Sequence, residues 1–146
     1  MKYLEEIGVK LPDPVVNSII FSEEDNQERD ARFKSQRSIY GFDERETWDL
    51  RYSSACWLYQ HLKLYKDLGG QVIDLSFYKF RLEDMNEELS QGDVIDIIIE
   101  LLENFLKYEN RSGIQESFND DEEEVVQSNL RKAFKMYGEI VSAMWW

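Results

Sequence analysis

The chain has 146 residues, 42% hydrophobic and 32% charged, which suits one compact domain rather than a disordered tail. Acids outnumber bases 30 to 17, a formal net charge of −13. That excludes a general nucleic-acid binder, because sequence-independent grip on phosphates needs clustered Lys and Arg. A lone cysteine, Cys56, excludes an internal disulfide and points to a reducing compartment; with a single histidine it leaves too few groups for a zinc finger or a Cys–His nucleophile pair.

The opening Met1-Lys2-Tyr3-Leu4-Glu5-Glu6 carries acid where a signal peptide needs a basic and then an apolar stretch. No apolar run approaches the ~20 residues of a membrane span, and Ile97-Ile98-Ile99 is interrupted by Glu100. A cytoplasmic protein without a membrane partner is the expectation. Both prolines, Pro12 and Pro14, stand near the start, and Thr47 is the only threonine, so helices are favoured from the middle of the chain onward.

Residues 1–40 read as an irregular segment, packed on or tethered to a helical domain of residues 41–146. The segment holds an apolar patch (Val15, Val16, Ile19, Ile20) and a run from Glu23 to Arg37 that mixes signs and suits either a helix or a connector. A helix is predicted from about Arg45 to Leu68. Asp43 stands as its N-cap, Glu44 and Glu46 lie in its first turn, and Gly69-Gly70 ends it. Its apolar stripe is Trp48, Tyr52, Ala55, Tyr59, Leu62 and Tyr65, with Leu58 and Leu68 alongside. Residues 71–80 alternate imperfectly and read as an extended connector.

A second helix is predicted from about Asp93 to Tyr108, with Val94, Ile98, Leu101, Leu102, Phe105 and Tyr108 on one face. A third runs from about Asp120 to the C-terminus, with Val126, Leu130, Ala133, Tyr137, Ile140 and Met144 on one stripe. The intervening loop, Asn110 to Asn119, should be exposed and mobile. Three long helices make an all-α single domain.

Charge is distributed unevenly. Residues 83–124 hold 15 acids against Lys107 and Arg111, a net of −13, equal to that of the whole chain. Within that segment Asp93, Asp96, Glu100 and Glu103 follow spacings of three, four and three, which stacks four carboxylates along one helix stripe. Like charges so spaced cost a helix about 0.2–0.5 kcal/mol per pair, and a purely structural helix would interleave bases. Glu83 with Glu87, and Asp84 with Glu88, repeat the pattern upstream. The bland account is a solvated face; the functional one is an anionic row for a cationic partner. Asp120, Asp121, Glu122, Glu123 and Glu124 have a stronger bland account, since acid is favourable at a helix N-terminus and Ser117 or Asn119 can cap.

Three functions follow. A non-enzymatic inhibitor or adaptor would present the row to a groove lined with Lys and Arg, imitating nucleic acid, because the carboxylate spacing approaches the phosphate repeat. A Mg²⁺-dependent all-α nucleotide pyrophosphohydrolase would use Asp96, Glu100 and Glu103 as half of a metal site, but a second inward row and phosphate-binding bases are missing. A structural or assembly protein would use acidity for solubility alone. The terminal Trp145-Trp146 reads as a strap across the core, or as an interface anchor if exposed. His61 reads as a surface residue and Cys56 as a small core residue. No catalytic residue, metal ligand or cofactor is expected.

The segment Tyr40-Gly41-Phe42-Asp43-Glu44-Arg45-Glu46-Thr47-Trp48-Asp49-Leu50 resembles small uncharacterised acidic helical proteins of Gram-positive phages and prophages. Those carry an aromatic/acid-x-x-x-Trp-x-Leu block and a helix ending like Leu62-Lys63-Leu64-Tyr65-Lys66. The closing Lys132-Ala133-Phe134 through Trp145-Trp146 is similar to theirs. Over residues 1–40 the relatives tend to be basic, whereas this chain is mixed. The resemblance implies a phage setting in a bacterial host, with a defence protein such as a restriction or CRISPR nuclease as partner, and supplies no catalytic residues.

Overall fold

Helices make up nearly all of the regular structure. The computed structural model describes residues 2–9, 23–111 and 120–145. In chain order these form α1 (Lys2–Glu6), α2 (Glu23–Tyr40), α3 (Arg45–Trp48), α4 (Leu50–Gly69), β1 (Lys79–Arg81), β2 (Glu88–Ser90), α5 (Gln91–Glu109), α6 (Asp120–Ile140) and a 3₁₀ turn (Val141–Ala143). The all-α reading holds, with one small antiparallel hairpin in which Phe80 faces Leu89. No helix among the described residues is long and apolar enough to cross a membrane.

The core sits between α4, α5 and α6. Val94, Ile95, Ile98, Leu102, Phe105 and Leu106 of α5 are fully buried, and Ala55, Leu58, Tyr59 and Leu62 of α4 meet them from one side. Val126, Leu130, Ala133, Met136 and Ile140 of α6 close the other side. Burying a side chain of this size stabilises the fold by about 1.5–3 kcal/mol each, so these three stripes dominate the energetics. Leu101, Tyr108 and Tyr137, expected on the apolar faces, are only half-buried because they lie at the margins of the contact.

Several boundaries differ from the sequence reading. Within residues 1–40 the described parts are helical: α1 buries Leu4 against α4, and the mixed-charge run takes the helical alternative as α2. Val15, Val16, Ile19 and Ile20 lie outside the described residues. The helix predicted from Arg45 to Leu68 breaks at Asp49, whose side chain accepts from the Tyr52 N–H and caps α4. Asp43 is therefore not the cap of the long helix. It is buried and paired with Arg37 and Arg45. Gly41 has φ +82°, a conformation that a side chain strains, and it turns the chain from α2 towards this pair.

The predicted extended connector contains a series of turns and then β1. It docks on the start of α5, where Gly92 N–H donates to the Leu75 carbonyl at 3.0 Å. The third helix stops at Ile140 and gives way to the 3₁₀ turn rather than reaching the C-terminus. Of the loop predicted as exposed, Asn110 is half-buried and donates to the Tyr52 hydroxyl at 2.5 Å. Residues 112–119, with Ser117 and Asn119, lie outside the described residues.

Candidate functional site

The predicted acidic residues fall on three elements. Asp93, Asp96, Glu100 and Glu103 follow one line on α5, about 15 Å from end to end. Asp121, Glu122, Glu123 and Glu124 occupy the first turns of α6. Asp120 begins that helix, and its side chain lies outside the described residues. Glu83 and Glu87 are not on a helix at all. With Asp84 and Glu88 they occupy the hairpin, so the helical like-charge pattern expected there does not exist. The cause is Leu82, which alternation carries into the core as the strand turns.

Most of the row on α5 has local work. Asp93 completes a capping box: its N–H donates to Ser90 Oγ at 3.1 Å and its Oδ2 accepts from the Ser90 backbone N–H at 3.4 Å, with the Ser90 hydroxyl also donating to Oδ2 at 2.7 Å. The two bonds that Ser90 donates to Oδ2, from its hydroxyl and then its backbone N–H, hold the Asp93 carboxyl below the usual carboxylate range. Asp96 pairs with Lys66 of α4. Glu103 pairs with Lys107 at 2.5 Å and accepts from the Tyr59 hydroxyl at 3.5 Å. Burial pushes that phenol up to about 12, with Glu103 adding to the effect. The bases that a lone helix would interleave are supplied by Lys66 on the neighbouring helix and by Lys107.

The hairpin acids are engaged in the same way. Lys135 of α6 lies 3.1 Å from Glu83 and 2.8 Å from Asp84, which raises its pKa, and the Glu83 N–H donates to Glu139 at 3.0 Å. Glu122 pairs with Arg111 at 2.8 Å. Lys66 and Lys135 thus return two positive charges to a segment that holds only two bases of its own.

What is left is a smaller anionic set. Glu87, Glu88, Glu100 and Glu124 are exposed, and no cation pairs with any of them among the described residues. Glu123 is half-exposed and also lacks a cation. Among the described residues no group of three or more His, Cys, Asp or Glu could hold a metal ion. Asp96 and Glu103 turn to separate lysines instead of converging, which is the wrong geometry for half of a Mg²⁺ site.

The remaining candidates resolve simply. Cys56 is buried in the core. His61 is exposed, and its ring stacks on Trp57 at 4.1 Å. Trp145 is 71% exposed and does not strap the core, while Trp146 lies outside the described residues. Sequence reasoning missed a second apolar stripe on α4 that points to solvent, formed by Leu50, Trp57 and Leu64 together with Leu68, which was expected beside the buried stripe and is instead exposed at the end of the helix. The spacing of seven, seven and four was visible, but the stronger buried stripe on the same helix absorbed it.

No protein-family model matches the chain, nor does any curated protein or any solved structure.

Proposed function

We propose that the protein is a non-enzymatic binding protein whose anionic surface engages a basic protein, of the kind that handles nucleic acid. The observation that carries this is the concentration of charge: residues 83–124 hold a net −13, and Glu87, Glu88, Glu100 and Glu124 remain exposed and unpaired among the described residues. Such a surface draws a Lys- and Arg-lined groove by long-range attraction and competes there with phosphate. The exposed ion pairs beside it are each worth at most about 1 kcal/mol and can exchange for pairs with a partner.

The resemblance to phage proteins favours a host defence nuclease as the target, inhibited through imitation of nucleic acid. The hydrolase reading finds no convergent carboxylates among the described residues to support it, and no observation there favours a structural or assembly role. Capture from bacterial lysate at low and at high salt, followed by displacement with duplex DNA, tests the reading. A partner retained at low salt, lost at high salt and displaced by DNA is expected. Binding that is indifferent to both salt and DNA would overturn it.

A further inference from the structure

Buried apolar stripes hold α4, α5 and α6 together, but α2 is held differently. Of its described side chains, from 27 to 40, Phe33 alone is buried, while Ile39 and Tyr40 are 67% and 65% exposed. Among the described residues α2 has no extended packing against any other element. Its links to the residues that follow are polar. Arg32 lies 2.6 Å from Glu44, and Gln36 both donates to Glu44 and accepts from its N–H at 2.9 Å. Arg37 reaches Asp43 at 2.7 Å and Glu46 at 2.9 Å. Between the two sides stands Gly41, at φ +82°, where a side chain would meet nothing within 4 Å. A residue free to change its dihedrals, in open space, is what a pivot requires.

We propose that α2 is an arm on an ionic latch: it opens by itself about Gly41 while α4, α5 and α6 stay packed, and salt sets how often it opens. The latch can part without stranding the buried carboxylate. Opening takes Arg37 from Asp43, but Arg45 lies on the same side of the pivot as Asp43 and stays on it, at 2.7 and 2.8 Å. The pairs that must break, Arg32–Glu44 and Arg37–Glu46, have half-exposed side chains and are open to screening. The Debye length falls to about 3 Å in molar salt, which weakens these pairs, whereas apolar burial in the core does not depend on charge. Closing again is favoured by the order of charge along the helix. Acids dominate 23–30 and bases 31–40, an order that suits the helix dipole, so α2 can re-form without help from the core.

Hydrogen exchange of the full chain at neutral pH, at low and at molar sodium chloride, tests this when peptides from α2 and α5 are compared. No partner is needed, so the outcome is independent of the anionic surface. Protection in α2 should lie below that in α5 at low salt and fall by roughly fivefold or more at high salt, with α5 unchanged. Glu44→Gln removes the partner of Arg32 and should bring α2 exchange at low salt close to the high-salt rate of the parent. If that variant loses its helical circular dichroism, Arg32→Gln, at an exposed position, replaces it. Equal protection of α2 and α5 at both salt concentrations overturns the proposal. So does an α2 that exchanges faster than α5 but at a rate indifferent to salt.

Discussion

Arg37, in the last turn of α2, sets its Nε 2.7 Å from Oδ2 of Asp43, whose carboxylate is buried at the start of the next element. Arg45 takes the other oxygen at 2.7 Å, and its N–H donates to the same Oδ1 at 3.1 Å. Around this pair Arg32 and Gln36 bond Glu44, and the Arg45 guanidinium lies 4.4 Å from the centre of the buried Phe33 ring. A helix as polar as α2 has little apolar face with which to dock. Its attachment to α3 therefore rests on Phe33 and this ionic network.

Acid should loosen that junction first. The Arg45 hydrogen bond, opposed by burial and helped by Arg37, moves the Asp43 carboxyl from its ordinary 3.8 down to about 2. A depressed carboxylate stabilises the fold above its unfolded pKa and loses that contribution as pH falls towards the folded one. The window is therefore from about pH 4 to about pH 2. After allowing for screening of the half-exposed Arg37, the contribution is about 1 kcal/mol. Asp43→Asn should cost about 2 kcal/mol at neutral pH, because it leaves two guanidinium groups without their buried partner. Urea titrations across that pH range should show the acid-dependent loss in the parent and a flatter profile in the variant.

The capping box gives Asp93 a test that separates structure from binding. Ser90→Ala removes the acceptor for the Asp93 N–H and should lower stability by about 1 kcal/mol. Asp93→Ala should do likewise while leaving association with a basic partner nearly unchanged. A large loss of binding with unchanged stability would show that Asp93 faces the partner rather than the helix end.

Much of the fold was legible because a buried stripe repeats: Val94, Ile98, Leu102 and Phe105 on α5, and Val126, Leu130, Ala133 and Ile140 on α6, follow helical spacing and are buried. The hairpin was not legible. β1 and β2 have three residues each, too few for alternation to stand out, and Glu87-Glu88 looked like part of a helical acid pattern. The candidate site was legible as charge but not as pairing. Lys66 and Lys135 reach Asp96 and the hairpin acids from positions 30 to 52 residues away in sequence, and spacing within one helix cannot reveal such partners. The block around Gly41-Phe42-Asp43 likewise looked like a helix start, although its main contacts run back to α2.

Cys56 should behave as a core residue with a measurable chemical signature. Burial pushes its thiol from 9.0 up to about 12, only partly offset by the Tyr52 hydroxyl, so almost none of it is thiolate at neutral pH. A thiol reagent should label the native protein slowly and the urea-unfolded protein rapidly. A raised acid also has a defined sign: the unfolded thiol ionises above about 9 while the folded one stays protonated, so stability should fall as pH rises from about 9 to about 12. Rapid labelling under native conditions would contradict the burial of Cys56.

Charge reversal tests the anionic surface most directly, and the structure changes which residues to reverse. Asp96 and Glu103 are paired with Lys66 and Lys107, so reversing them would also break contacts within the protein. Glu100 and Glu124 are exposed and lack a cation among the described residues. Glu100→Lys combined with Glu124→Lys should leave stability within about 0.5 kcal/mol of the parent, as is usual for surface substitutions away from packing and caps. Association with a basic partner should slow by about tenfold or more at low ionic strength, because steering follows the summed field, and the difference should shrink as salt screens it. Stopped-flow titration of both proteins against the captured partner at two ionic strengths measures this. Equal association rates at low salt would reduce the acidic segment to a solvated face.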